Sequence, residues 1–231
     1  MLKVIGFYLF SALLVILCSC SHGLAQTEKK VASAVLIDNT GSLRSQFDDV
    51  LFLGKGVVEL SHRRGPVSVF NFKESDDKKF PQALISSGVQ WSQDKNLIEN
   101  YLDTLSITSG QTRLYDAIYY IAEQLNAKVD QDKDAFGDKA IFLVTDGEDR
   151  GSTIKDKQLI KLLRESGIKV YAFGLVKELD AEGGMIRMSQ KEKAIKFLEK
   201  IAKETDGRVV FSKSKKDNVV SLLNAMFADR N

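Results

Sequence analysis

Apolar runs with the character of β-strands alternate along the chain with segments of helical periodicity. Strands are predicted at 32–38, 67–73, 140–146, 169–175 and 208–212, with a weaker one at 86–91. Helices are predicted at 47–62, 113–125, 157–166, 191–204 and 217–227. From the run at 140–146 onward, strands and helices alternate strictly, which is typical of a mainly parallel sheet covered by helices on both faces.

The composition fits one domain. The 231 residues are 44% apolar and 28% charged, which is enough apolar material for a single core. Only two prolines occur, and no repeat or low-complexity tract marks a linker. The sequence therefore predicts one doubly wound, Rossmann-like α/β domain over residues 26–231.

The first 25 residues have the order of a secretory signal peptide. A single basic residue, Lys3, precedes an apolar run from Val4 to Leu17, and small residues follow. The run is shorter than the roughly 20 residues that a membrane-spanning helix needs. Two processing sites are possible for this peptide: plain cleavage after Ala25, or cleavage at a lipobox, "LCSC", with a lipid anchor on Cys20. Either site predicts export to the periplasm, the cell envelope or the exterior.

Charge and cysteine content restrict the chemistry of the exported body. Removal of Lys3 with the leader lowers the formal charge from +2 to +1, so no basic field for nucleic acid remains. Both cysteines, Cys18 and Cys20, lie in the leader, which excludes disulfides and thiolate metal sites from residues 26–231. Partners must therefore be recognised by other chemistry.

Oxygen-bearing side chains follow the two runs that look most like central strands. Asp38, Thr40 and Ser42 alternate directly after the first run, Asp146 ends another, and Thr112 precedes a predicted helix. In open α/β sheets, ligands bind outside the carboxyl ends of the strands, where the strand order reverses. Asp38 alone, or Thr112 alone, is accounted for as the N-cap of the helix that follows it. Together they predict one crevice of hydroxyl and carboxylate oxygens, which suits a hard divalent cation such as Mg²⁺.

The segments "DNTGS", "SGQTRLYDAI" and "LVTDGED" resemble, in order and in strand context, the metal-ion-dependent adhesion site of von Willebrand factor A (VWA) domains. The similarity runs from about Ala32 to Phe227 and is greatest to the bacterial branch of that family. The usual first loop is Asp-x-Ser-x-Ser, so Thr40 departs from it by one methyl group. A threonine keeps the hydroxyl, and metal binding is expected to survive.

The resemblance implies a role for each candidate ligand. Thr40, Ser42 and Thr112 would contribute hydroxyl oxygens, directly or through water, while Asp38 and Asp146 would act largely through water. The cation would be Mg²⁺, or Mn²⁺ or Ca²⁺, with a position open to a Glu or Asp of a protein partner. The implied function is that of a non-enzymatic, adhesion-type binding module.

Enzymatic alternatives lack essential residues. Thr40 stands where an aspartyl phosphatase of the haloacid-dehalogenase type needs its second Asp. The only histidine beyond the leader is His62, so no serine-type triad can form. A Mg²⁺-dependent envelope hydrolase, or an accessory subunit of one, stays open as the alternative, with Asp38, Asp146 and Glu148 as the only evident general bases of the crevice.

Two further regions are candidates for partner contact. Glu148 and Asp149 follow the predicted metal residue in the same loop. The segment 177–190 is long for a connection in a compact domain, and it offers the apolar side chains of Met185, Ile186 and Met188. The alternative for both regions is a solvated surface loop.

Overall fold

The computed structural model of the protein describes residues 29–74, 82–179 and 188–212. The predicted leader at 1–25, the predicted helix at 217–227, and Met185 and Ile186 lie outside the described residues.

The described chain forms one sheet of seven strands in the order β4-β3-β2-β1-β5-β6-β7. The strands are β1 (Lys30–Ile37), β2 (Val67–Glu74), β3 (Gln82–Ser92), β4 (Gln111–Thr112), β5 (Phe136–Thr145), β6 (Ile168–Gly174) and β7 (Arg208–Phe211). All neighbours are parallel except β2 and β3, which pair antiparallel. The predicted doubly wound, mainly parallel sheet is confirmed.

Helices cover both faces of the sheet. They are α1 (Phe47–Ser61), α2 (Lys95–Asp103), α3 (Leu114–Asp130), α4 (Asp156–Glu165) and α5 (Gln190–Glu204), with short 3-10 turns at Gly41–Gln46 and Val176–Glu178. The apolar sides of α3, α4 and α5 pack on one face, and those of α1 and α2 on the other. No helix in the described ranges is long and apolar enough to span a membrane.

Strand β1 is buried on both faces, which explains why its sequence from Val31 to Ile37 is apolar except for Ser33. Ala34 and Leu36 belong to the cluster beneath α3, α4 and α5. Val35 and Ile37 belong to the cluster beneath α1 and α2. Burial on both sides confirms that the apolar run before Asp38 is a central strand.

The sequence analysis did not predict α2 or β4. Helix α2 has only nine residues, and its polar surface hides the apolar period. Asp94 caps it by accepting a hydrogen bond from the Leu97 backbone N–H at 3.2 Å, while Ile98 and Leu102 are buried. This N-cap and the i, i+4 apolar pair were the signals available in the sequence.

The strand order reverses between β1 and β5. Strand β2 lies on one side of β1, and β5 lies on the other. The register pairs Ile37 with Val144, and the Asp38 N–H donates to the Val144 carbonyl at 2.9 Å. The ends of both strands, which carry Asp38 and Asp146, are thereby brought to one point at the carboxyl edge of the sheet.

Candidate metal centre

Asp38 is the fully buried centre of a hydrogen-bonded network. The Thr40 hydroxyl donates to Asp38 Oδ1 at 2.7 Å, and the Thr40 backbone N–H donates to the same oxygen at 3.1 Å. The Thr145 hydroxyl donates to Asp38 Oδ2 at 2.6 Å. The Thr112 hydroxyl donates to Thr40 Oγ1 at 2.9 Å. Three separate chain segments thus place their oxygens in one continuous network.

Backbone contacts hold the Thr112 segment against the first loop. The Asn39 carbonyl accepts from the Thr108 N–H at 2.8 Å, and Asn39 Nδ2 donates to the Ser106 carbonyl at 2.7 Å. The Arg150 N–H donates to the Thr112 carbonyl at 2.7 Å. Because these bonds join all three loops, the position of the Thr112 hydroxyl is fixed by the fold.

Asp146 is buried and only half satisfied. Its Oδ1 accepts from the Glu148 N–H at 2.9 Å, whereas its Oδ2 is buried with no hydrogen-bond partner among the described residues. A buried carboxylate oxygen without a partner is costly. A buried carboxylate oxygen of this kind is a suitable ligand for a hard cation.

Gly147 allows the chain to turn directly after Asp146. Its φ is +78°, and its N–H donates to Thr145 Oγ1 at 3.0 Å. A Cβ at this position would lie 2.8 Å from Leu198 Cδ1. Glycine is therefore required both by the left-handed backbone and by the close approach of α5.

The two buried carboxyl groups resist ionisation. Burial, and to a smaller extent the neighbouring Asp38, raise the pKa of Asp146 to about 7, although the Ser42 hydroxyl acts in the opposite direction. Burial also raises the pKa of Asp38, although Thr145 and Thr40 donate hydrogen bonds to it. In both acids the effect of burial outweighs the hydrogen bonds that favour the charged form.

The five predicted metal residues come together in the structure. Thr40, Ser42 and Thr112 line a crevice of about 290 Å³ at the carboxyl edge of the sheet. Ser42 is exposed there. The buried Asp38 is connected to the crevice by its hydrogen bond from Thr40, and the buried Asp146 by its interaction with Ser42.

The residues present fit a hard cation. Within the described residues, no group of three His, Cys, Asp or Glu side chains could hold a metal, so a cation here would rely on hydroxyls as well as carboxylates. Hydroxyl and carboxylate oxygens together suit Mg²⁺ or Mn²⁺. The orphaned Asp146 Oδ2 is the observation that favours an ion at this position.

The predicted partner contacts differ in their surroundings. Glu148 is buried, lines the crevice, and accepts from Arg150 Nη2 at 2.7 Å. Asp149 accepts from the Tyr115 N–H at 3.2 Å and from the Ser152 hydroxyl, which ties its loop to the start of α3. Met188 is 40% exposed directly before α5. As partner contacts, all three stay predictions.

Three residues that support the site, Thr145, Asn39 and Asp116, were not predicted from the sequence to take part in it. Thr145 was counted as part of a strand, and Asn39 as loop. Asp116 was counted as a helix residue, yet its Oδ1 accepts from the Ile154 N–H at 2.8 Å and anchors the loop after β5. Their position next to or between predicted ligands was the only signal for Thr145 and Asn39, and Asp116 gave none.

Three solved structures share the fold with this chain. The manganese-loaded TRAP protein of Plasmodium vivax is 16% identical, with 86% of this chain and 74% of that chain covered and a TM-score of 0.53. The pilus adhesin SpaC of Lactobacillus rhamnosus GG, in an open conformation, is 16% identical, with 88% and 30% covered and a TM-score of 0.59. A von Willebrand factor type A protein of Catenulispora acidiphila is 15% identical, with 86% and 41% covered and a TM-score of 0.51.

At these identities the likeness establishes the fold. The chain spans less than half the length of the pilus adhesin and of the Catenulispora protein. No curated protein matches this sequence. The family model of the von Willebrand factor type A domain matches residues 34–225, and the sheet order of the structure agrees with that match. This chain therefore belongs to the VWA family.

Proposed function

We propose that this VWA domain is an exported, non-catalytic binding module that captures an acidic group of a protein partner with the help of a divalent cation. One observation carries the proposal. The Thr112, Thr40 and Asp38 side chains form a hydrogen-bonded series beside a buried Asp146 whose Oδ2 has no partner.

The side chains at the crevice have the capacity to hold the cation. A hydroxyl oxygen has two lone pairs, and Thr112 Oγ1 uses its proton on Thr40 Oγ1, which in turn uses its own on Asp38. Lone pairs on both oxygens are therefore available, with Ser42 and Asp146 completing the set. When bound, Mg²⁺ or Mn²⁺ supplies an electrophilic centre with a position open to a partner's carboxylate.

The comparisons favour this chemistry over others. One structural neighbour is described as loaded with manganese and another as a pilus adhesin. If Asp38 and Asp146 act through water, as the resemblance implies, the direct ligands are neutral hydroxyls and leave the positive charge of the cation incompletely neutralised. An acidic partner group is the complement of such a site.

Export rests on the first residues of the sequence. Residues 1–25 have the signal-peptide order described above, and residues 26–231 contain no cysteine. We assign the VWA domain to residues 26–231, and its location to the periplasm, envelope or exterior. Mass spectrometry of the mature protein would distinguish cleavage after Ala25 from a lipid on Cys20.

The absence of catalysis is part of the proposal. A hydrolase would need a general base near the cation, but Asp38 is already engaged by two threonine hydroxyls and Glu148 by Arg150. Asp146, the remaining acid, is assigned here to holding the cation. We expect no metal-dependent turnover of generic phosphate or ester substrates. Turnover that is lost in the Asp146→Ala variant would revive the envelope hydrolase.

Calorimetric titration of Mg²⁺ and Mn²⁺ tests the site. The parent protein is expected to bind one ion, whereas Asp38→Asn and Asp146→Asn are expected to show no saturable binding. Asp134→Asn is the matched control, because Asp134 is exposed and precedes β5, whereas the crevice lies at the opposite end of that strand. A folded parent that binds neither ion would contradict the proposal.

A further inference from the structure

The Glu148–Arg150 pair places an arginine at the crevice. Glu148 is 6% exposed, and its Oε1 accepts from Arg150 Nη2 at 2.7 Å. A buried carboxylate needs such a charged partner. The pairing therefore holds the guanidinium next to the wall that Glu148 forms.

The Arg150 backbone is fixed relative to a predicted metal residue. Its N–H donates to the Thr112 carbonyl at 2.7 Å. The following loop is anchored to the start of α3, because Asp116 accepts from the Thr153 and Ile154 N–H groups at 3.0 and 2.8 Å. Arg150 and Thr112 line the same crevice of about 290 Å³. The backbone that carries the guanidinium is therefore held in a defined position beside the proposed cation site.

Arg150 has donor capacity beyond its bond to Glu148. A guanidinium carries five N–H donors in a planar fork that matches a carboxylate. The Arg150 side chain is 55% exposed, so the group remains accessible to an incoming ligand. A metal ion lacks this fork geometry, and a lysine in place of Arg150 would supply only a point charge.

We propose that Arg150 is a specificity-determining residue that binds the partner's carboxylate together with the cation, so that one acidic side chain is held at two points. This inference rests on the proposed function. It adds a second contact to the carboxylate of the proposed function, because a carboxylate has two acceptor oxygens, one for the cation and one for Arg150, whereas a neutral amide of the same shape has only one.

Acetate and its neutral isostere acetamide test the inference, with binding followed by NMR titration of the ¹⁵N-labelled protein in saturating Mg²⁺. Arg150→Gln is expected to lower acetate affinity at least five-fold. The same variant is expected to raise Mg²⁺ affinity by about 3- to 10-fold, since one positive charge leaves the neighbourhood of the cation. Acetamide should produce no saturable shift in any variant.

A charge-balanced double variant separates direct contact from a field effect. Glu148→Gln with Arg150→Gln removes one charge of each sign, so the net charge of the crevice equals that of the parent. If Arg150 touches the carboxylate, acetate binding stays weak in the double variant. Recovery of parental acetate affinity there would overturn the inference. Arg164→Gln is the matched control, because the Arg164 side chain is likewise exposed and paired with a glutamate, Glu204, away from the crevice.

The possible failures are distinguishable. A parent that binds Mg²⁺ and acetate, with no change in Arg150→Gln, refutes the role of Arg150 and leaves the proposed function standing. A parent that binds no Mg²⁺, or binds Mg²⁺ without any acetate response, refutes the proposed function and this inference with it. Urea unfolding of each variant establishes that the fold is retained.

Discussion

Replacing Asp146 by Asn should stabilise the metal-free protein while it abolishes metal binding. The Asn Oδ1 can still accept from the Glu148 N–H, as the carboxylate does at 2.9 Å. The Asn Nδ2 takes the place of the orphaned Oδ2. The neutral amide donor then lies near Asp38, where the parent has a second carboxylate that repels the Asp38 carboxylate. The substitution therefore removes an unfavourable interaction without opening a cavity.

The magnitude follows from the raised pKa of Asp146. Burial and Asp38 raise this pKa from 3.8 to about 7, and each unit corresponds to about 1.4 kcal/mol. The full shift corresponds to about 4 kcal/mol, which is an upper limit because Asp38 shares the unfavourable charge. Because the folded pKa lies above the unfolded one, the penalty is absent below about pH 4 and grows as the pH rises towards 7. We expect a gain of roughly 2–4 kcal/mol for the variant at pH 7.5.

Urea unfolding in EDTA, followed by the fluorescence of the single tryptophan, Trp91, measures this gain. The difference between variant and parent should be large at pH 7.5 and small at pH 4.5. Saturating Mg²⁺ should narrow it, because ligand at 100 times the Kd stabilises the parent by about 2.7 kcal/mol. Asp134→Asn should show neither effect. A variant no more stable than the parent in EDTA at pH 7.5, or a gain independent of pH, would refute the reasoning.

Three further substitutions test the network around the crevice. Thr40→Val removes the hydroxyl that donates to Asp38 and should weaken Mg²⁺ binding at least ten-fold by calorimetry, whereas Thr40→Ser should stay within about three-fold; equal affinities would show that this hydroxyl is not a ligand. Gly147→Ala forces a side chain into a left-handed backbone and should cost about 1–3 kcal/mol in urea unfolding, while Gly41→Ala, with open space around its Cβ, should change little; equal costs would contradict the steric argument. Thr145→Val deprives a buried carboxylate oxygen of its 2.6 Å donor and should cost about 1–3 kcal/mol by the same measurement, a loss that Thr145→Ser should avoid.

The sequence could predict the central part of the fold because its strands are buried on both faces. The runs before Asp38 and Asp146 contain only Ser33 and Thr145 as polar residues, so their position in the sheet was predictable. Helix α2 was missed because its nine residues carry only two fully buried apolar side chains. The antiparallel pairing of β2 and β3 was not predicted either, since strand direction depends on how the connection runs.

The grouping of the candidate ligands was predictable for a similar reason. Parallel strands end at the same edge, so alternate oxygens after one strand must lie near those after its neighbour. The structure brings these side chains together, and cation binding itself stays a prediction. The Glu148–Arg150 pair could not be foreseen, because adjacent charges in a loop give no indication of which one is buried.

The hydrogen bonds of the crevice join residues that are far apart along the chain. The Thr112–Thr40 bond spans 72 positions and the Thr145–Asp38 bond spans 107. Contacts of such sequence separation form after loops of that size have closed, and thus late in folding. A cation that needs all three segments would then bind the native state without stabilising the transition state. Mg²⁺ should accordingly slow unfolding in proportion to the stability that it adds, and leave the refolding rate unchanged.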